Sequence, residues 1–324
     1  MSAQSSSLQL QSELLKASQW RWYEWLLWAL AFAAPWVMPG HALIVNEVAI
    51  VALFALSLDL VLGYAGVVSL GHAAFLGFGA YAAALFAKHI MPDPFVGLLV
   101  GMLASTLLGG IFSLTILRGT DLTRLMVTLG LALILLELAN KLDWLTGGSD
   151  GLQGVLMGPV MGRFEFDLMG QTAATYSLVV LFVLFVLVRH WVHSPMGATV
   201  KAIRDNRLRA AAIGINANAK IAVVYTVAAA LAGAAGALMA QTTGFASLDI
   251  FALDRSADVM LMLVIGGVGW LYGGLLGAVA FKFMHDIISS ITPQYWTFWI
   301  GLFLVVLVLV GRDKLLKPWK WWST

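Results

Sequence analysis

Apolar runs of about span length alternate with short polar breaks along almost the whole chain. A hydrocarbon core about 30 Å thick takes roughly 20 apolar residues of helix. Such runs occur at 22–38, 42–62, 67–87, 95–117, 121–145, 172–188, 219–240, 257–269, 272–291 and 295–311. The pattern predicts an all-α integral membrane protein, a polytopic helical bundle of about ten spans, some broken or re-entrant. The eighth run is short. Gly266, Gly267, Gly269, Gly273 and Gly274 cluster where it meets the ninth, which predicts a broken or tilted hairpin. The run 228–240 (AAALAGAAGALMA) must lie close against protein, because helices in lipid associate through small residues.

Glycine also punctuates 63–84, at Gly63, Gly66, Gly71, Gly77 and Gly79. Each glycine in a helix interior costs about 1 kcal/mol against alanine. One explanation is close packing through small faces, such as Ala73 with Gly77 and Ala80 with Ala84. The other is an unwound or re-entrant stretch whose free backbone lines a solute path, tolerated at membrane depth only beside protein or water. Asp59, Ser69 and His72 favour the second.

Against this apolar background, 189–220 is the one long polar stretch. It holds six of the 19 Lys and Arg residues (Arg189, Lys201, Arg204, Arg207, Arg209, Lys220) and a single acid, Asp205. Ser194-Pro195 opens a turn, and 199–213 contains neither Gly nor Pro. Its Ala, Arg and Leu predict one helix, with Gly214 placed to stop it. Ile203, Leu208, Ala211 and Ile213 give only a ragged apolar side. That face suits the groove of a partner better than a lipid surface.

Composition narrows the class. The chain is 60% apolar and 11% charged, against about 25% charged for a soluble domain. A water-soluble globule of 324 residues is therefore excluded. With no cysteine, disulfides and thiolate metal sites are excluded too. The net charge is only +2, but its placement is informative. Threading ten spans from a cytoplasmic N-terminus puts Lys16, Arg21, Arg118, Arg124, the bases of 189–220, Arg312, Lys314, Lys317 and Lys320 on one side. The opposite loop, 146–171, carries Asp150, Glu165 and Asp167 against Arg163. Excess Lys and Arg mark the cytoplasmic side. This predicts a cytoplasmic tail at 1–21, a membrane domain over 22–311 and a second cytoplasmic tail at 312–324. Trp20, Trp22, Trp25, Trp28, Trp319, Trp321 and Trp322 suit the two interfaces. Ala31-Phe32-Ala33 resembles a signal-peptide cleavage site, but the spans that follow favour a retained first helix.

Candidate chemistry is sparse. There is no Gly-Lys pair, hence no phosphate loop, and neither an H-E-x-x-H nor an Asp-rich metal motif. Ser69 and His72, three residues apart, are a weak hint of a nucleophile. Catalysis is not expected, so energy for transport must come from an ion gradient or from a partner subunit. Glu137 and Asn140 lie one turn apart late in the fifth run. Lys282 and Asp286 allow an i,i+4 ion pair beside His285; it reads as structural, with a proton relay as the sharper alternative. The turn-rich 146–152 (TGGSDGL) is either a connector or an outer gate built on Thr146, Gly147, Gly148 and Asp150.

Four motifs in order, GYAGVVSLGHAAF at 63–75, TGGSDGL at 146–152, SPMGATVKAIRDN followed by AIGIN within 194–216, and GGVGWLYGG at 266–274, together resemble one family. It is that of the permease subunits of ABC importers for branched-chain amino acids, of the M-type, related to urea and aromatic-acid permeases. The similarity covers roughly 42–311. The resemblance implies a permease in a bacterial inner membrane with both termini cytoplasmic. It implies a second, different permease subunit, two cytoplasmic ATPase subunits that hold ATP and Mg, and an external substrate-binding protein. No cofactor or metal on this chain and no nucleic-acid partner is implied. The coupling helix would use Ala202, Ile203, Arg204, Asp205, Asn206, Arg207, Leu208, Ala211 and Gly214. The translocation pathway would use Asp59, Tyr64, Gly66, Ser69, Gly71, His72 and Phe75. Arg207 stands where the family usually carries an acid, which implies a more acidic groove on the ATPase. The terminal Gly311-Arg312-Asp313-Lys314 also departs from the family pattern. Urea, or an aromatic or other small carboxylate, is the alternative solute. An ion-coupled transporter is the alternative class, and it would carry inverted repeats.

Overall fold

The computed structural model describes residues 20–116 and 121–310. Segments 1–19, 117–120 and 311–324, with Lys16, Arg118 and the bases and tryptophans of the C-terminal tail, lie outside the described residues. The order of helices is α1 Trp22–Val37, α2 Ala42–Asp59, α3 Ala73–His89, α4 Pro94–Ile116, α5 Asp121–Lys141, α6 Gln171–Val192, α7 Pro195–Asp205, α8 Arg207–Ala212, α9 Ala217–Thr243, α10 Leu253–Gly266, α11 Leu271–Ile291 and α12 Trp296–Val310. A π-helical turn, Leu60–Tyr64, extends α2.

Six of these helices are long and apolar enough to cross a membrane: α2 with its π turn, α4, α5, α6, α9 and α11. Each of the ten predicted runs holds a helix, but α1, α3, α10 and α12 have only 16, 17, 14 and 15 residues. At 1.5 Å per residue the 14 residues of α10 span about 21 Å, less than the hydrocarbon core. The third predicted span shortens for a different reason. Its first turn and a half, residues 67–72, is not helical, and α3 begins only at Ala73.

The centre of the bundle is α9, whose small-residue face lies on α3 and α4. A Cβ added at Gly236 would sit 1.9 Å from the Leu76 carbonyl oxygen, and one at Gly79 would sit 2.4 Å from the Gly233 Cα. The helices therefore touch backbone to backbone, as the run 228–240 predicted. The glycine cluster at 266–274 forms a tight hairpin of α10 and α11. A Cβ at Gly266 would lie 1.8 Å from the Gly273 carbonyl oxygen, and the turn uses Gly267 at φ +107 and Gly269 at φ +78.

Charged side chains pair both across helices and along them. Lys282 reaches Asp286 at 3.3 Å as the spacing predicted, but it also reaches Glu47 of α2 at 2.8 Å. The pair thus ties α11 to α2. Glu24 of α1 meets Arg189 of α6 at 3.0 Å, both buried, and the guanidinium lies 4.6 Å from the Trp20 ring. Glu137 pairs with Lys141 at 3.7 Å on an exposed face.

Overpacking a tight contact costs about 1–3 kcal/mol. Gly236→Val should therefore lower the melting temperature of the detergent-solubilised protein by several degrees. Gly110→Val on α4, where no atom lies within 4 Å of a new Cβ, should leave it unchanged.

Candidate translocation and coupling site

Two neighbouring features stand out: an unwound strand inside the bundle, and a bent pair of polar helices beneath it. The strand begins where the π turn ends. Gly66, at φ +70, reverses the chain in a conformation that a side chain would strain. Residues 67–72 then run back into the bundle. Among the described residues, the N–H groups of Val68, Ser69 and Leu70 have no protein acceptor. The strand is anchored by side chains instead. Ser69 Oγ lies 3.1 Å from Tyr225 OH on α9. Ser256 Oγ of α10 accepts the Ala73 N–H at 2.9 Å and so caps the start of α3. Tyr225 is eight residues into α9, about 12 Å along its axis, which sets the strand at depth.

Along the strand, burial alternates as an extended chain requires. Val67, Ser69 and Gly71 are buried, whereas Gly66, Val68 and Leu70 are exposed or partly exposed. Gly71 packs on α5, where a Cβ would lie 2.1 Å from the Thr128 carbonyl oxygen. His72 is fully buried between the Phe54 ring, stacked at 5.6 Å, and the Phe75 ring, edge-on at 5.5 Å. Ser57 gives its hydrogen to the Phe54 carbonyl at 2.6 Å, so His72 Nε2 is the donor in the 2.9 Å bond to Ser57. Phase by phase, the predicted pathway residues divide. Ser69, Gly71, His72 and Phe75 face the chain's own core, and Gly66 is exposed but lies against Arg204 of α7. Asp59 and Tyr64 are buried at the end of the bundle beside α7. The open side of the strand belongs to Val68 and Leu70, which sequence reasoning did not single out. Residues 67–70, apolar but for Ser69, carry no polar alternation that could have found them.

Beneath the strand, the single helix predicted over 199–213 is in fact two. Asn206 breaks it with extended backbone, φ −159 and ψ 98, and its side chain accepts the Arg209 N–H at 2.9 Å to cap α8. Asparagine is among the best N-caps, which is why a segment without Gly or Pro still bends here. The inner side of the pair holds it to the bundle. Ile203 and Ala210 are buried, at 2% and 3% exposure. Ile203 therefore packs inward instead of presenting itself to a partner. Lys201 Nζ lies 5.2 Å from the Tyr64 ring centre. Burial of its ammonium, then the neighbouring Arg204 guanidinium, lower the Lys201 pKa below the usual lysine value, against the pull of Asp205. Arg204 donates to the Gly63 carbonyl and to Asp205. Arg207 folds back and donates to the side-chain carbonyl of Asn218 at the start of α9. The outer side presents Ala202, Asp205, Asn206, Leu208, Arg209, Ala211, Ile213 and Gly214, with Leu208 at 84% and Ile213 at 71% exposure. Gly214, at φ +85, ends the pair.

At the opposite end, Thr146 Oγ1 donates within the turn after α5 and accepts the Gly148 N–H at 3.3 Å. Gly147 and Gly148 take φ +79 and +57, and Leu152 pairs with Ala246 in a short antiparallel bridge. Asp150 is exposed on a groove of about 390 Å³ shared with Lys88, Asp143 and Trp144.

Six apolar helices of span length make the chain a multi-pass membrane protein. Residues 41–310 match the profile of the family described as branched-chain amino acid transport system / permease component, and the chain belongs to that family. It is 27% identical over 322 residues to the high-affinity branched-chain amino acid transport system permease protein LivM of Salmonella typhimurium, covering 90% of this chain and 74% of the relative. It is 24% identical over 280 residues to the permease protein BraD of Pseudomonas aeruginosa, covering 81% of this chain and 89% of the relative. LivH of Escherichia coli aligns over a shorter stretch, 25% identical over 118 residues, covering 36% of this chain and 38% of the relative. No solved structure shows a significant match.

A leucine side chain at Gly71 must displace the α5 backbone or the strand. Gly71→Leu should reduce transport to background while the protein still reaches the membrane. Transport at the wild-type rate would mean that this position does not pack on α5.

Proposed function

We propose that this chain is one permease subunit of an ATP-driven importer and that the imported solutes are branched-chain amino acids. The observation that carries this is that the π turn leading into the unwound strand rests on α7, with Lys201 over the Tyr64 ring and Arg204 on the Gly63 carbonyl. A solute path at membrane depth can use irregular backbone only where it meets protein or water. The open edge of Val68 and Leu70 meets that requirement. The α7–α8 pair offers what a groove-docking helix needs, an exposed apolar pair, Leu208 and Ile213, flanked by the charges of Asp205 and Arg209. The substrate follows from the names of the relatives LivM and BraD.

In this reading the end carrying α7 and α8 faces the cytoplasm, together with both termini, in the inner membrane of a bacterium. The four shorter helices complete the ten crossings. One of two ATPase subunits seats on α7–α8, and the two supply ATP and Mg, so this chain needs neither. A second permease, of the kind that LivH represents, closes the path on the open side of the strand. An external binding protein delivers the solute near the 146–152 turn, where Asp150 lines the outer groove. ATP-driven closure of the ATPases favours one of two arrangements of the bundle, because docking contacts differ between them.

Leu208→Asp and Ile213→Asp should release the ATPase subunits on purification and lower leucine uptake more than about tenfold, the loss of an interface anchor worth 2 kcal/mol or more. Uptake in vesicles should require ATP and persist without a proton gradient. Uptake driven by a proton gradient with ATP depleted would overturn the proposal.

A further inference from the structure

We propose that Asp59, Gly63, Arg204 and Gly269 form a latch that passes movement of α7 to the unwound strand, making Asp59 and Arg204 positioning residues for transport. This rests on α7–α8 being the ATPase-docking element. The latch goes further, because it assigns these two side chains to transmission within the chain and not to solute or ATPase contact.

Three segments far apart in sequence meet here. The Gly63 carbonyl lies at the C-terminal end of the α2 and π-helical segment, where the last carbonyls lack helical partners. Arg204 Nη1 donates to it across 141 residues of sequence. A cation at a helix C-terminus is also favoured by the helix dipole. One turn back, Asp59 Oδ1 accepts the Gly269 N–H at 2.7 Å and so holds the α10–α11 turn. Gly63 lies wedged between these contacts. A Cβ there would fall 2.1 Å from Asp59 Oδ1 and 2.5 Å from Gly269 N. Arg204 also fills the space over Gly66, where a Cβ would fall 2.8 Å from its Cγ. Displacement of Arg204 therefore moves either Gly63 or Gly66, and residue 67, where the strand begins, follows at once.

The latch has a second position. Asp59 is fully buried, and its Oδ2 has no hydrogen-bond partner among the described residues. A buried carboxylate oxygen left unpaired is unfavourable. We assign Oδ2 as the acceptor that Arg204 reaches when ATPase closure carries α7 inward, exchanging the Gly63 carbonyl for the carboxylate. One exchange both tightens the α10–α11 turn and frees the end of the π helix.

The test uses the complete transporter with its ATPases and binding protein, reconstituted in liposomes, and reads leucine moved per ATP hydrolysed. Asp59→Asn keeps an oxygen for the Gly269 N–H but makes the other atom a donor that cannot accept Arg204. Asp59→Asn and Arg204→Gln should each lower the ratio about tenfold, at the upper end of effects along coupling networks. The double variant should fall no further than the worse single one, and Arg204→Lys should restore much of the ratio. The ATPases should remain bound in all of them, which separates this outcome from failure of the docking assignment. An unchanged ratio in Arg204→Gln would overturn the latch, as would losses that multiply in the double variant. Equal loss of uptake and hydrolysis, with a lowered melting temperature, would make the contacts merely structural.

Discussion

Everything in this bundle hangs on α9 lying against α3 with no side chain between the two backbones. Lipid supplies no hydrophobic drive for one helix to leave it for another, so close van der Waals contact between small faces must hold them. Gly79, Gly233 and Gly236 make that contact possible, and it places α3 rigidly. The start of α3 is then fixed by Ser256, and the strand before it by Tyr225, itself part of α9. One end of the strand is thus a post set in the core. The other end hangs from the π turn, which rests on α7 through Lys201 and Arg204. A segment fixed at one end and attached to a surface helix at the other is suited to being moved.

Much of this was legible in the chain as letters. The apolar runs located the helices other than the polar α7 and α8, and the small-residue runs located the two tightest contacts. The 63–75 stretch was ambiguous because a glycine-rich run satisfies both close packing and unwinding. The deciding groups, Tyr225 and Ser256, lie more than 150 residues away, beyond any local pattern. The number of full-length helices was also not readable from hydropathy alone. The third run is apolar enough overall to read as a span, yet its first residues are extended, since Gly66 turns the chain and α3 starts late.

At the site, residue type was a better guide than residue role. Asp59, Ser69 and His72 stood out as polar groups in an apolar run, and each proved to have a defined partner: the Gly269 N–H, Tyr225 and Ser57. Polar groups buried in a membrane protein must be satisfied, so conspicuous ones are often spoken for by the core. The open edge of the strand is apolar, Val68 and Leu70, and apolar residues attract no notice in a membrane sequence. Asn206 is the converse case. Its capping chemistry was readable, but its effect, a bend that turns Ile203 inward and leaves Leu208 and Ile213 outward, emerged only from the backbone.

The central claim is that the strand moves with the ATPase cycle and exposes Val68 and Leu70 while the core holds Ser69. The chain has no cysteine, so single cysteines can be placed without background from this subunit. The direct measurement is labelling of Val68→Cys, Ser69→Cys and Leu70→Cys by a membrane-impermeant maleimide in the assembled transporter, ATP-free and ATP-trapped. The account predicts that positions 68 and 70 change reactivity between the two states and that position 69 stays protected in both. Equal labelling of 68 and 70 in both states, or a reactive position 69, would contradict it.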